Sequence, residues 1–254
     1  MTNKYKIALL LTGALRNYED TFSSIKQYLL DRYDVDVFFY GVENKDGKDQ
    51  NKLMFKNLFS PVSCIINDID FYNKINIKQS YIRNSYYSFY NVFECNKLRL
   101  DYEKEHKIKY DIIIRCRLDV FWFRPITDFE LNLAKNNILT PSDWSFKSVN
   151  TFALSDIFCI TNSHFMNIYA DLYNHIDEYC QIFKFHPESL CGYHITKNKI
   201  QSIEIDKHFI FEYPEEKNYI DGIYTTDWYS LNYGDRFVQH FDAQHNKNRK
   251  ELDI

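Results

Sequence analysis

Two short apolar runs separated by one amphipathic segment open this chain, and that alternation restricts it to few fold classes. Residues 6–11 form the first run and residues 35–41 the second. Between them, Phe22, Ile25 and Leu29 recur at helical spacing. Continuous apolar runs of this length are typical of parallel strands that are buried on both faces. The segment therefore predicts a β-α-β unit with a right-handed crossover.

The same alternation continues along the chain. The stretch 78–106 contains no Gly or Pro and has helical periodicity, so it predicts a long amphipathic helix. Further strands are predicted at 62–66, 110–115, 137–140, 156–161, 200–205 and 209–211, with further helices at 52–59, 163–179 and 187–196. We therefore predict the α/β class, with a mostly parallel sheet flanked by helices on both faces.

Composition excludes several classes of protein. The chain has 254 residues, a net charge of -4 and dispersed Lys and Arg, which is not the pattern of a nucleic-acid binder. Its apolar runs are far shorter than the roughly 20 residues of a membrane span, so we expect no transmembrane segment and a cytoplasmic location. Its 6 Cys have no Cys-x-x-Cys spacing, which favours buried, reduced thiols over disulfides or a zinc site.

The first predicted strand ends in Thr12-Gly13-Ala14-Leu15-Arg16-Asn17. Gly13 lets the backbone turn close to a ligand, and Arg16 precedes a helix whose N-terminus favours an anion. Neither a P-loop nor a dinucleotide-binding glycine pattern follows. Thr12, Gly13 and Arg16 are therefore candidate ligand-binding residues, and an ordinary strand-to-helix turn with a solvated Arg16 is the alternative.

A second strand end combines charges of both signs. Arg115, Arg117 and Asp119 alternate, so on an extended chain they project to the same side. Two guanidinium groups and a carboxylate suit a phosphate or a metal–phosphate pair, and Asp119 has the oxygen chemistry that Mg²⁺ or Mn²⁺ prefers. An internal ion-pair cluster that only shapes the core is the alternative reading.

Together, the two strand ends and the later strand at 156–161 followed by a helix resemble GT-A-type glycosyltransferase-like proteins of bacterial surface-polysaccharide clusters and large DNA viruses. The resemblance covers about residues 5–198. It implies a GT-A-like domain at 1–212, with a nucleotide-sugar half at 1–125 and an acceptor half at 126–212. Residues 213–254 then form an aromatic and polar extension.

By this resemblance, Asp119 matches the final carboxylate of the Asp-x-Asp element that holds Mn²⁺ or Mg²⁺ on a nucleotide-sugar diphosphate. Arg117 stands at the position of the first Asp, which puts strict metal dependence in doubt because a guanidinium itself neutralises phosphate charge. The resemblance also assigns Thr12, Gly13 and Arg16 to the nucleotide. The implied partners are a nucleotide-diphosphate sugar and a glycan or glycolipid acceptor.

Glycosyl transfer uses carboxylates to assist the attacking hydroxyl group or to stabilise an oxocarbenium-like centre. Asp143, beside Trp144, and Asp156, at the start of a strand, are the first candidates. Glu188 is a third, although stabilisation of a helix N-terminus explains it equally well. We expect the histidines to be ordinary surface or hydrogen-bonded core residues.

Two hypotheses on function follow. The first is a glycosyltransferase of surface polysaccharide or glycan biosynthesis that uses a nucleotide-sugar donor. The second is a non-catalytic carbohydrate- or nucleotide-binding protein on the same scaffold, in which Asp119 only pairs with arginine. Binding of nucleoside diphosphates followed by donor turnover distinguishes the first from the second.

Overall fold

The structure is a computed structural model that describes residues 5–43, 49–78, 81–141, 153–182, 184–205, 210–212, 219–220 and 223–224. Its strands are β1 (Lys6–Ala14), β2 (Asp34–Val42), β3 (Ser63–Asn67), β4 (Ile112–Arg117), β5 (Val120–Trp122), β6 (Ile138–Pro141), β7 (Phe158–Thr161), β8 (Ser202–Ile205), β9 (Ile210–Glu212), β10 (Tyr219–Ile220) and β11 (Ile223–Tyr224). Its α-helices are α1 (Tyr18–Ile25), α2 (Asp49–Phe59), α3 (Arg83–His106), α4 (Asp128–Ala134), α5 (Ser163–Tyr179) and α6 (Pro187–Lys197).

A seven-stranded sheet in the order β3-β2-β1-β4-β7-β6-β8 forms the centre of the fold. β1, β2, β3 and β4 run parallel, and β6 is parallel to β8, while β7 is antiparallel to both of its neighbours. β5 pairs with β9, and β10 with β11, in two small antiparallel ribbons. The predicted α/β class with a mostly parallel sheet is confirmed.

Both faces of the sheet are covered by helices. On β1, Ile7, Leu9 and Leu11 pack on one face in a cluster that includes residues of α1, α2 and α4. Ala8 and Leu10 point to the opposite face, where the core is completed by α3, α5 and α6. This division explains why β1 is apolar at every position from Ile7 to Leu11, since its alternating side chains enter two separate cores.

Three local features differ from the predicted elements. The segment predicted as one helix after β1 consists of α1 and a π-helical turn at Lys26–Leu30. The long helix predicted from residue 78 starts at Arg83, after a 3-10 helix at Ile69–Lys74. β5 and α4 were not predicted, although Thr127 and Glu130 form a reciprocal capping box that starts α4.

All six cysteines of the chain are described and are free thiols, as predicted. Burial raises the pKa of both Cys116 and Cys159 to about 12, so neither thiol supplies a nucleophilic thiolate at neutral pH. Across the helices of the described ranges, none is both long enough and apolar enough to span a lipid bilayer.

Candidate functional site

The order of the strands identifies the place where a ligand would bind. From β1, the chain adds β2 and β3 on one side of the sheet and then crosses to add β4 on the other side of β1. In open α/β sheets, ligands bind beyond the carboxyl ends of the strands at such a reversal. Thr12 on β1 is the register partner of Arg117 on β4, so the two strand ends singled out in the sequence lie side by side.

Three charged side chains meet at this point, and we call Arg16, Arg117 and Asp119 the edge cluster. The Arg117 guanidinium donates from Nε to Asp119 Oδ1 at 2.9 Å and from Nη2 to Oδ2 at 2.6 Å. Arg16 donates from Nη2 to Asp119 Oδ2 at 3.2 Å. The Asp119 side chain is only 3% exposed, whereas those of Arg16 and Arg117 are 34% and 22% exposed. The buried carboxylate thus holds two partly exposed guanidinium groups at the carboxyl ends of β1 and β4.

Backbone conformation brings Arg16 to Asp119. Gly13 has a φ of +119°, which side-chain-bearing residues rarely adopt, and Asn17 is left-handed with a φ of 54°. These two residues turn the chain from the end of β1 into α1. On the other side of the site, the Thr21 hydroxyl donates to the Leu118 carbonyl at 2.6 Å and thereby ties α1 to the turn that carries Asp119.

Gly41 on β2 completes this turn without contributing a side chain. It is the register partner of Gly13. A β-carbon at position 41 would lie 1.7 Å from the Gly13 carbonyl oxygen, so no other residue fits there without displacing the end of β1. Gly13 was predicted from the sequence as a site residue, and Gly41 was not.

Thr12 is buried beside the edge cluster, and its hydroxyl group has no hydrogen-bond partner within the described residues. Because register partners of parallel strands point to the same face, Thr12 and Arg117 share the face covered by α3. An unpartnered buried hydroxyl costs roughly 1–3 kcal/mol. Together with its position beside Arg117, this makes Thr12 a candidate to hydrogen-bond a ligand.

Asn91 on α3 is a candidate ligand-binding residue that was not predicted from the sequence. It is buried, and its amide oxygen has no partner in the described part of the chain. One helical turn further along α3, the Cys95 thiol donates to the Leu11 carbonyl at 3.7 Å, so α3 crosses the end of β1 at this level. A long polar-aromatic helix carries no sequence signal that distinguishes Asn91 from its neighbours.

Arg115 lies apart from the other two arginines. It is fully buried, and its guanidinium donates to the Ser88 hydroxyl at 3.1 Å and to the backbone carbonyl of Asp156. Its Nε has no partner among the residues described here. The structure therefore brings Arg16, Arg117 and Asp119 together. The guanidinium group of Arg115 instead lies between α3 and the segment before β7.

Two of the three predicted catalytic carboxylates belong to this end of the sheet. Because β7 is antiparallel to β4, the segment that starts β7 lies at the carboxyl end of β4, and the Arg117 amide donates to the Ile157 carbonyl at 3.2 Å. Asp156 directly precedes this contact. The Glu188 carbonyl accepts from the Leu154 amide at 3.0 Å, which brings the first turn of α6 beside the same segment.

Glu188 itself is mostly buried, and its carboxylate lies 3.5 Å from His186 Nε2. His186 also accepts from the Ser189 amide as the N-cap of α6, so this region has a clear structural role. Asp143, the third predicted catalytic carboxylate, lies outside the described residues, as does Trp144.

The described residues do not fit a divalent cation at Asp119. Both carboxylate oxygens accept hydrogen bonds from guanidinium groups, and Arg117 stands where a second carboxylate would be needed. Within the same ranges, no group of three or more His, Cys, Asp or Glu side chains is arranged to hold a metal ion. A hard cation requires several oxygen ligands, and two neighbouring positive charges oppose its binding.

A cavity of about 380 Å³ lies elsewhere, between α3, α5 and α6. Asn96, Asn167 and His194 are among its lining residues, and none of the edge cluster reaches it. Charge and strand topology place the chemistry at the carboxyl ends of β1 and β4, so we assign the candidate site there and not to this cavity.

Comparison with known proteins gives a family match and a distant likeness to solved structures. No curated protein matches the chain in sequence. Among solved structures, the crystal structure of mouse xyloside xylosyltransferase 1 in its apo form is similar at 13% sequence identity, over 93% of each chain, with a TM-score of 0.49. The family model described as Domain of unknown function (DUF7796) matches residues 2–167. The chain therefore belongs to the DUF7796 family, whose description assigns no function.

Proposed function

We propose that this protein is a glycosyltransferase that transfers a sugar from a nucleoside-diphosphate donor to a glycan or glycolipid acceptor in surface-glycan biosynthesis. The observation that carries the proposal is the edge cluster at the strand-order reversal, where two guanidinium groups surround one buried carboxylate. The GT-A resemblance of the strand-end motifs supports the choice of reaction.

The arginines have a direct role in this reaction. When the bond between the sugar and the diphosphate breaks, negative charge develops on the leaving phosphate oxygens. Fixed positive groups aimed at that charge lower the barrier, and the planar guanidinium fork matches phosphate oxygens in pairs. Asp119 holds Arg16 and Arg117 in place through hydrogen bonds of 3.2 Å and 2.6 Å, so it acts as a positioning residue in this mechanism.

The acceptor is activated from the other side of the site. Asp156 lies at the carboxyl end of β4, one residue from the contact between Arg117 and Ile157, so its carboxylate is a candidate general base for the attacking hydroxyl group. Asp143 and Glu188 remain candidates for the same role. The proposal predicts that replacement of one of these carboxylates lowers turnover more than donor binding.

Substitution of Asp119 tests the proposal. With released nucleoside diphosphate as the readout for a panel of sugar donors, we expect Asp119→Ala to lower kcat/KM by about 100-fold or more, in line with loss of preorganised charge. Asp119→Asn keeps the shape of the side chain and one acceptor oxygen, so it should recover part of the loss. Both variants should still fold, as judged by circular dichroism and urea unfolding.

Glu130→Gln is the matched control. Glu130 is the acceptor of the other two-point ion pair with an arginine, at 2.6 Å and 2.9 Å from Arg124, and it lies in α4, outside the candidate site. Its substitution should lower stability without lowering kcat/KM. Full activity of Asp119→Ala would refute the proposal.

A non-catalytic nucleotide- or carbohydrate-binding protein is the second candidate, and the complete pairing of Asp119 with arginines favours it. Calorimetry with nucleoside diphosphates and with free glycans separates the two. Diphosphate binding with turnover of a sugar donor supports the enzyme, whereas glycan binding without turnover of any donor supports the binding protein.

A further inference from the structure

We infer that the edge cluster binds the diphosphate of its ligand without a divalent cation, with the Arg117 guanidinium in the place that the cation would occupy. This inference rests on the proposed function for its ligand class. It concerns how charge is neutralised at the site, and it goes beyond the assignment of a reaction.

Both carboxylate oxygens of Asp119 already accept hydrogen bonds. Arg117 engages both of its oxygens, at 2.9 Å and 2.6 Å, and Arg16 shares Oδ2 at 3.2 Å. A cation bound to this carboxylate would have to displace these donors and would then lie beside two positive charges. With 3% of the side chain exposed, water cannot weaken that repulsion efficiently.

Exposure differs between the members of the cluster. The side chains of Arg16 and Arg117 are partly exposed, while Asp119 stays buried. The cluster therefore presents cationic hydrogen-bond donors outward, which is the chemistry of a phosphate site and the reverse of a cation site.

The Thr12 hydroxyl is an independent third observation. It is buried beside Arg117 by strand register and has no partner among the described residues. Such a hydroxyl is both donor and acceptor, and it matches a phosphate or ribose oxygen. A metal-bound diphosphate would present several of its oxygens to the cation, whereas a cation-free diphosphate leaves them for Thr12 and the arginines.

The experiment measures binding of inorganic pyrophosphate, UDP, GDP and ADP to the full chain by calorimetry, in EDTA and in Mn²⁺. We expect at least one of these ligands to bind in EDTA with a Kd within about threefold of its value in Mn²⁺. Added salt should weaken this binding, since the contacts are between charges. Electron paramagnetic resonance of Mn²⁺ added to the wild-type protein should show no tightly bound ion.

Three substitutions of Arg117 sharpen the test. Arg117→Gln should weaken binding in EDTA about 10-fold to 100-fold, the loss expected for charge-assisted hydrogen bonds. Arg117→Lys keeps the positive charge but lacks the planar guanidinium group. Its affinity for diphosphate in EDTA should lie between those of the wild type and Arg117→Gln. Arg117→Asp creates the Asp-x-Asp pattern, so any diphosphate binding that it retains should require Mn²⁺. Arg124→Gln is the matched control and should bind like the wild type.

The outcomes separate this inference from the proposed function. Cation-free diphosphate binding without turnover of any sugar donor supports the inference and overturns the proposed function. Donor turnover that EDTA abolishes and Mn²⁺ restores supports the proposed function and overturns the inference. Failure of all four diphosphates to bind, with and without Mn²⁺, overturns both.

Discussion

Two arginine clusters in this molecule have similar chemistry and different surroundings. Arg99 on α3 is fully buried and faces α5. Its three guanidinium nitrogens all donate hydrogen bonds, to Asn96, Glu103, Ser163 and Asn167. In the edge cluster the acid is buried and the arginines are partly exposed, beside a Thr12 hydroxyl that has no hydrogen-bond partner in the described ranges. A closed, fully hydrogen-bonded cluster stabilises the fold, whereas an open cluster with an incomplete neighbour is suited to a ligand.

The largest expected change in stability comes from substituting Arg99, the centre of the fully hydrogen-bonded cluster. Arg99→Met should lower the free energy of unfolding by about 3–5 kcal/mol, because it leaves the mostly buried Glu103 without its ion-pair partner. Urea unfolding measures this loss. The folded fraction should bind diphosphate like the wild type, and the double variant Arg99→Met/Glu103→Gln should recover part of the stability. A loss well below 1 kcal/mol would contradict the distinction drawn between the clusters.

A smaller effect of opposite sign is expected beside the open cluster. Thr12→Val removes a buried hydroxyl that no described residue hydrogen-bonds, so the free energy of unfolding should rise by about 1 kcal/mol while diphosphate binding weakens several-fold. Both quantities come from urea unfolding and calorimetry on the same preparation.

Two other threonines serve as controls for Thr12→Val. Thr140 is also buried without a hydroxyl partner in the described ranges but lies on β6, so Thr140→Val should gain stability and leave binding unchanged. The Thr161 hydroxyl donates to the Asn137 carbonyl at 2.8 Å, so Thr161→Val should lose about 1 kcal/mol. A Thr12→Val variant that loses stability as Thr161→Val does would argue for a purely structural Thr12.

The smallest effect concerns pH and the helical layer around Arg99. The Nε2–H of His194 donates to the Ile168 carbonyl at 2.7 Å, and its Nδ1 lies 2.7 Å from the Tyr179 hydroxyl, from which the neutral ring accepts a hydrogen bond. Burial lowers the pKa of His194 below its ordinary value of 6.5. The unfolded chain therefore takes up a proton first as pH falls.

Stability from His194 is fully present above pH 6.5 and is lost as pH falls toward the lower pKa of the folded state. The slope for this single proton is at most about 1.4 kcal/mol per pH unit. Urea unfolding at about pH 7.5 and about pH 5.5 measures it. His194→Gln should flatten the profile over this interval, and an unchanged profile would show that other groups dominate.

Much of the fold could be predicted because β1 and β2 contain continuous apolar runs and α3 has helical periodicity. The antiparallel direction of β7 could not be predicted, since a short apolar run has the same pattern in either direction. β5 has three residues, too few to distinguish a strand from a loop by pattern. The start of α4 did carry a signal, the capping box of Thr127 and Glu130, which the sequence analysis did not use.

The alternation of side chains along β4 predicted only part of the candidate site. Arg115, Arg117 and Asp119 were predicted to project together, but β4 ends at Arg117 and only Arg117 and Asp119 are in contact. Two residues further into the sheet, Arg115 is held by Ser88 and the Asp156 backbone, which are distant in sequence. Contacts of this kind, like the position of Asn91, depend on helix placement that no local pattern encodes.

Gly41 makes the geometry of the candidate site depend on a strand that contributes no side chain to it. Since a β-carbon there would lie 1.7 Å from the Gly13 carbonyl oxygen, the ends of β1 and β2 can change only together. Substitutions that widen or reshape the Gly13 turn will therefore succeed only where position 41 stays glycine. In directed evolution of this site, libraries that vary position 41 will be depleted of folded members, whereas position 13 has open space for a β-carbon and is limited by its φ of +119°.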